Sequence, residues 1–306
     1  MINMATQESL TLIQFQKKFS TEEACQSHLF NMKWPDGFRC AKCGHNQYYE
    51  TKTRKLKLYE CRQCGYQATV IVGTVMEKTH IDLTKWFWAI YLVAHDKRGI
   101  SAVMLSEDLE VSYKTAWLIL HKIRNAMSNR DSQYMLAGIV ELDDAFFGAP
   151  TEGGKRGRGT DKTKVLVGLS LNQKGHPLYM KMEVIPDIKG VTLVDFANRA
   201  IVPGSVISSD AYKSYNALAK QGYQHMPLEY NPVDHPDHLH WLHTVISNAK
   251  AFIGGTYHGL DSKYLQAYLN EFCYRFNRRK FKGELFNRLL SCCSSTRVIT
   301  YSELTA

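Results

Sequence analysis

The sequence predicts a multidomain α+β chain: a small cysteine-bearing ribbon, a helical segment, and a C-terminal α/β domain. Three observations carry this. Two CxxC pairs stand seventeen residues apart near the N-terminus, helical periodicity rules residues 80–130, and from Gly138 the pattern switches to strand-like alternation. At 306 residues the chain is long enough for two or three modules. Its boundaries are expected at 1–36 for a helical lead-in, 37–75 for the ribbon, 80–130 for the helical segment, 136–285 for the α/β domain and 286–306 for a tail.

Composition narrows the function classes. The 38 Lys and Arg against 29 Asp and Glu leave a net charge of +9. The excess is concentrated: 39–64, 151–164 and 264–282 are each basic, and the rest is slightly acidic. Such patches suit a polyanionic partner, because Lys and Arg that neutralise phosphates release counterions. No apolar run approaches the ~20 residues of a membrane span, the longest candidate being Trp86 to Ala94. The N-terminus lacks a basic-then-apolar leader, so a cytoplasmic, nucleoid-associated protein is expected.

Residues 10–35 read as helical, with Phe15, Phe19, Ala24 and Leu29 on one broken apolar face, before the turn Trp34-Pro-Asp-Gly37. The knuckles Cys40-Ala-Lys-Cys43 and Cys61-Arg-Gln-Cys64 follow, each closed by a glycine, with short strands expected at 47–50, 57–61 and 67–72. Four thiolates in this spacing suit tetrahedral zinc, and with four protein ligands that zinc is structural. Cys25, Cys273, Cys292 and Cys293 lack such pairing and read as packing thiols.

In the helical segment, Asp82 is the expected cap of a helix through Ala94, and Gly99 ends it. A short helix from Ser101 to Leu109, a turn at Glu110-Val-Ser112 and a longer helix from Tyr113 to Met127 match a helix-turn-helix, whose second helix can enter a DNA major groove. Lys114, Lys122 and Arg124 on that helix are the candidate DNA contacts.

The α/β domain is expected to open with strands at 138–147, 164–171 and 178–185, then a helix at 192–200 and a strand at 206–208 ending at Asp210. That is the order of an RNase H-like core, in which the first and fourth strands are neighbours and bring Asp143 and Asp210 together. Paired carboxylates repel unless cations lie between them. Hard Mg²⁺ or Mn²⁺ is the expected occupant, serving in-line phosphoryl transfer. Glu141 shares the face of Asp143 and could lie beside the site; Asp144 points the other way and is expected to make a supporting or surface contact. Lys155, Arg156 and Arg158 form a basic loop after the first strand, expected to touch the DNA backbone. Arg275, Arg278 and Arg279 recur at helical spacing as an expected basic ridge, and Glu271 in the same helix is a spare acid expected in a salt bridge.

The chain resembles the zinc-ribbon, DDE-type transposases of bacterial insertion sequences, the ISXO-like group, from about Leu12 to Phe281. The resemblance rests on Trp34-Pro-Asp-Gly-Phe-Arg-Cys-Ala-Lys-Cys43, Lys114-Thr-Ala-Trp117, Val140-Glu-Leu-Asp143, Ser209-Asp-Ala-Tyr212, Gly255-Thr-Tyr-His-Gly259 and Glu271-Phe-Cys-Tyr-Arg-Phe-Asn-Arg-Arg279, in that order. It implies an enzyme that binds its element's terminal inverted repeats, cuts there and joins the freed 3′-hydroxyls to target DNA, acting as a dimer or larger assembly. It also implies Asp143 and Asp210 as the first two metal ligands and Lys250 near the scissile phosphate.

The third acid is where this sequence departs from relatives that carry His-Thr-Asn-x-x-Glu with Lys seven residues on. His238 and Lys250 fall in register, but His243 stands at the Glu position; Asn248 matches branches that use Asn. On a helix, His243 lies about 20° from the face of Lys250 and Asn248 about 200° away. An amide oxygen, however, suits a hard cation better than imidazole. Both residues stay candidates, and either predicts weaker Mg²⁺ binding and a Mn²⁺ preference. The histidines at 235, 238, 240 and 243 read as a cluster serving DNA contacts rather than as a second metal centre. The competing class is a DNA-binding regulator derived from a transposase whose nuclease fold is inactive.

Overall fold

The computed structural model describes residues 10–51, 54–149, 153, 155, 157–229, 231, 233–235, 237–281 and 283–305. The chain divides into two compact units, residues 1–127 with 281–306, and residues 128–280.

In the first unit the lead-in is two helices rather than one, α1 (Leu12–Lys18) and α2 (Glu22–Lys33). The break lies at Thr21, whose hydroxyl takes the N–H of Ala24 and caps α2. The ribbon is a three-stranded antiparallel sheet of β1 (Tyr48–Thr51), β2 (Leu58–Cys61) and β3 (Gln67–Ala68), the last shorter than the alternation suggested. Phe30, Trp34, Phe38, Tyr48 and Tyr59 pack ring against ring beneath it. Helix α3 (Leu83–His95) starts beside Asp82, but Asp82 does not cap it. The Glu22 carboxylate does so instead, accepting the N–H groups of Leu83 and Thr84 at 3.0 and 2.8 Å, while Asp82 pairs with Lys55.

The helix-turn-helix pattern appears as α4 (Ala102–Asp108) and α5 (Tyr113–Ser132). α5 is buried along an unbroken run from Ile119 to Arg124, so it is wrapped on several sides rather than presenting one polar face.

Strands β4 (Ile139–Phe147), β5 (Thr163–Leu171) and β6 (Pro177–Ile185) open the second unit as an antiparallel meander, followed by α6 (Gly190–Ala200), β7 (Val206–Ser209) and β8 (Gln224–Pro227). The sheet order is β6-β5-β4-β7-β8, with β7 parallel to β4 and β8 parallel to β7. This is the RNase H-like arrangement, and it sets the first and fourth strands of the unit side by side. Even-numbered positions Val140 and Leu142 enter a core with α6, whereas Ala145 and Phe147 enter the opposite core. That second core is covered by α7 (His240–Thr256) and α8 (Leu265–Asn277).

β6 is an edge strand, and two amides of α8 close it. Gln266 takes the N–H of Val184 and donates to the Met182 carbonyl; Asn277 does the same for both backbone groups of Met180. These side chains satisfy groups that would otherwise invite another strand.

Residues 281–306 return to the first unit as α9 (Leu285–Ser295) and α10 (Tyr301–Thr305). Phe286 of α9 sits among Phe15, Phe19, Phe87 and Tyr91. Among the described residues no helix is long and apolar enough to cross a membrane.

Candidate active site and zinc centre

The two knuckles of the ribbon close in the same way. Gly44 and Gly65, at φ +74° and +68°, donate N–H bonds back to the Cys40 and Cys61 carbonyls at 2.9 and 3.0 Å. The turns aim Cys40, Cys43, Cys61 and Cys64 at one point, with all four sulfurs within 4.8 Å of one another. The pairs Cys40–Cys64 and Cys43–Cys61 stand 3.5 Å apart. Zn–S bonds of about 2.3 Å in a tetrahedron need sulfurs about 3.8 Å apart, so the set fits structural zinc. Cys25, Cys273, Cys292 and Cys293 form no disulfide and are buried in packing positions.

The acids gather where β4 runs on past the end of β7. Glu141 and Asp143 face α7. The Glu141 carboxylate, 7% exposed, accepts the N–H of Leu242 at 3.1 Å in the first turn of α7, and burial raises its pKa despite that bond. Asp143 meets the next residue of the helix: its Oδ2 is 3.3 Å from His243 Nε2. That contact, outweighing burial, raises the His243 pKa.

Asp144 faces the other way, as a strand's alternation requires, yet it belongs to the same cluster. Its carboxylate takes Arg158 Nε and Nη2 at 3.1 and 2.7 Å, and the same Nη2 reaches Asp210 Oδ2 at 2.6 Å. Burial raises the Asp144 pKa although Arg158 pulls against it. Tyr215 lies 3.4 Å from Asp144, its hydroxyl's pKa pushed up by burial and then by the carboxylates nearby. Asp210 also accepts the N–H of Tyr212, which turns the chain at the end of β7.

Lys250, two turns beyond His243 on α7, places its ammonium 5.7 Å over the Phe147 ring, on the Asp143 side of β4. Burial, and then Lys162, lower its pKa. Asn248 is exposed.

The structure therefore brings together Asp143 and His243, joins Asp210 to Asp144 through Arg158, and sets Lys250 along the same strand face. Oxygen donors of this kind fit a hard divalent cation. Among the described residues only the four cysteines bring three or more ligand atoms within 4.8 Å, so the histidines at 235, 238, 240 and 243 do not form a second centre of that kind.

Several basic residues stand differently from the sequence reading. Lys122 and Arg124 are 8% and 2% exposed, Lys122 lying 5.9 Å over the Trp86 ring, so they are core cations and not DNA contacts. Lys114 is exposed, 4.4 Å over the Tyr301 ring. Lys155 is exposed, Arg156 lies outside the described residues, and Arg158 turns inward to the acids. The expected ridge is consumed internally: Arg275 pairs with Glu271, Arg278 with Asp131, and Arg279 holds the carbonyls of Leu178 and Phe276. The Glu271 bridge is the one expected of it. Two functional features had no sequence signal beyond residue type, the Glu141 bond to α7 and the inward turn of Arg158.

Two family models match the chain. Residues 20–67 match the family model described as a transposase zinc-ribbon domain, and residues 135–277 the one described as an ISXO2-like transposase domain. An uncharacterised protein of the transposable element ISH50 from Halobacterium salinarum is 28% identical over 160 residues, 52% of either chain. A transposase-like protein of Haemophilus influenzae is 20% identical over 104 residues, 33% of this chain and 84% of that one. The chain thus spans about half the length of the Halobacterium relative. Among solved structures, the catalytic core domain of BIV integrase aligns at 15% identity and TM-score 0.30, over 47% of this chain and 85% of that one. The Mos1 strand transfer complex aligns at 15% identity and TM-score 0.27, over 70% and 78%. With ribbon and α/β domain matched in order along one chain, the chain belongs to the zinc-ribbon, DDE-type transposases of insertion sequences, in the ISXO2-like group.

Proposed function

We propose that the protein is the DNA-cutting and strand-joining enzyme of its own insertion sequence, active with Mg²⁺ or Mn²⁺. The observation that supports this most directly is the parallel β4–β7 pair, with Asp143 on β4, Asp210 directly after the end of β7, and His243 3.3 Å from Asp143. Asp143 and Asp210 would hold the divalent cations, with His243 as the third ligand. Cations there supply activation of the attacking water or 3′-hydroxyl and stabilisation of the leaving oxygen. Asn248, exposed and about 140° around the helix from His243, is the weaker candidate for that role. Replacing a carboxylate by imidazole favours Mn²⁺ over Mg²⁺.

The chain's own groups do the rest. Lys250 binds the phosphate beside the scissile bond as a point charge, with Lys162 near it. Glu141 fixes the start of α7 and so the height of His243 above Asp143. The first turn of α5, with Tyr113 57% exposed and Lys114 outward, is positioned as a recognition helix presents its N-terminal residues to base edges. The basic ribbon and Lys155 add contacts to phosphate. Bringing two element ends together requires at least a dimer, acting on DNA in the cytoplasm.

The test is cleavage of a duplex carrying the DNA that flanks the gene. Metal-dependent 3′-end nicking, stronger in Mn²⁺ and abolished by Asp143→Asn, is expected. Binding without nicking in either metal would refute the enzyme and leave the regulator.

A further inference from the structure

Arg158 occupies an unusual place for a loop arginine. It sits in the 3-10 turn Gly157–Gly159 between β4 and β5, its guanidinium stacked 3.9 Å over the Tyr212 ring. It makes two bonds to Asp144 and one to Asp210. The two acids are unequal, Asp144 being 3% exposed and Asp210 29%. The Asp144 contact is a buried ion pair that is costly to break; the Asp210 contact is open to competition. One guanidinium thus bridges two carboxylates, at 144 and 210.

The Asp210 oxygen that Arg158 holds belongs to the carboxylate assigned above to a divalent cation. A guanidinium at 2.6 Å both occupies that oxygen and repels an incoming dication. A phosphodiester offers Arg the same forked pair of oxygens as a carboxylate. Lys155 and Lys162 flank the turn on the same connection and draw phosphate there, and the left-handed Gly157, at φ +68°, adjoins Arg158. Nη2 can leave Asp210 while Nε keeps Asp144 as a pivot.

We propose that Arg158 is an internal counter-ion that holds Asp210 in the absence of DNA and passes to a backbone phosphate when DNA binds, so that DNA tightens the site's grip on divalent cations. The proposal rests on the reading of Asp210 as a metal ligand. Linkage makes the effect mutual: cations must tighten DNA binding by the same factor.

The experiment measures Mn²⁺ binding to the zinc-loaded full chain by the free-Mn²⁺ electron paramagnetic resonance signal, with and without a short duplex, subtracting binding to DNA alone. For the wild type, DNA should tighten Mn²⁺ binding about fivefold or more, the low end of ordinary coupling. The paired variant Asp144→Asn/Arg158→Gln removes one acid and one base together, leaving net charge unchanged. It should bind Mn²⁺ tightly without DNA and respond to DNA by less than about twofold, well under ordinary coupling. Paired-variant binding no tighter than wild type without DNA, or an undiminished response to DNA, overturns the proposal. Should the paired variant fail to fold, Arg158→Gln alone tests the same point, since an uncharged amide cannot hold Asp210 as a counter-ion. A DNA response equal to wild type in that variant is equally fatal. Asp143→Asn/Asp210→Asn separates the two layers. If Mn²⁺ binding survives it, the ligand reading itself fails; if binding is lost but Arg158 variants behave as wild type, only the counter-ion fails.

Discussion

Glu141 caps a helix from another element, and its replacement has a calculable result. α7 begins at His240 with no side-chain cap of its own, and Leu239 before it is held at φ +54°. The Leu242 N–H is instead satisfied by the buried Glu141 carboxylate at 3.1 Å. Glu141→Ala leaves that donor unpaired, a loss of about 1–3 kcal/mol, partly offset because a desolvated charge is also removed. A net cost of about 1–2 kcal/mol is expected, which at about 2–4 °C per kcal/mol lowers the melting temperature of this unit by about 2–8 °C. Glu141→Gln keeps an acceptor oxygen and sheds the charge, so it should stay within about 1 kcal/mol of wild type or exceed it. The pH dependence has a definite sign. Burial raises the folded-state pKa of Glu141 above its ordinary 4.5, so its contribution to stability is full below that value. That contribution fades as pH rises through the higher folded-state pKa, and Glu141→Gln should lack this slope. Thermal melts followed by circular dichroism from pH 4 to 8 read all three quantities. Glu141→Ala melting with wild type would refute the cap, and Glu141→Gln falling as far as Glu141→Ala would show that charge, not an acceptor, is what α7 requires.

Three other outcomes follow from the same geometry. Stripping zinc with a chelator, or Cys61→Ser, should unfold the ribbon, because structural zinc contributes about 10–16 kcal/mol in small fingers; one zinc per chain released to a colorimetric dye measures it. Lys114→Ala should weaken DNA binding and reduce the salt slope by about one unit, while Lys122→Met should leave both unchanged and stabilise the fold slightly, since burial lowers the Lys122 pKa; fluorescence anisotropy across a salt series separates the pair. His243 should titrate above its ordinary 6.5 because of Asp143, and Asp143→Asn should bring it back down, as followed by the ring-proton shifts in NMR. Its pairing with Asp143 is full below 6.5 and lost as pH rises through the raised value, so Mn²⁺ binding should strengthen over that rise.

Much of the second unit is legible because strands constrain their neighbours. Three strands, a helix and a fourth strand leave β7 little choice but to lie parallel to β4, and alternation alone puts Glu141 and Asp143 on one face with Asp144 on the other. The zinc site is legible for a similar reason, as two identical knuckles fix four sulfurs locally. Charge was the poor guide. Lys122 and Arg124 follow the rule that charged residues mark the outside of a helix, but α5 is surrounded on most sides and buries both. The arginines at 275, 278 and 279 keep helical spacing, yet Asp131 and the edge of β6 take up two of them from far along the chain. Periodicity reports which face a residue occupies; it carries no information about a partner a hundred or more residues away. The tail is illegible on the same ground, since Phe286 finds its ring partners near residue 15.

Four acids crowd the end of β4 and β7, and three groups let them tolerate one another. Glu141 is held by a helix N-terminus, Asp143 by an imidazole, and Asp144 with Asp210 by one guanidinium. A glutamate at 243 would bring a fifth carboxylate into this group, within reach of Asp143 and with no cation of its own. Histidine removes that repulsion while keeping a lone pair that can ligate a metal once the ring is neutral. Asp144 is a further carboxylate, tied into the cluster from the opposite face of the strand. The charge of the site is redistributed between two faces of β4, and the element that joins them is the side chain of Arg158.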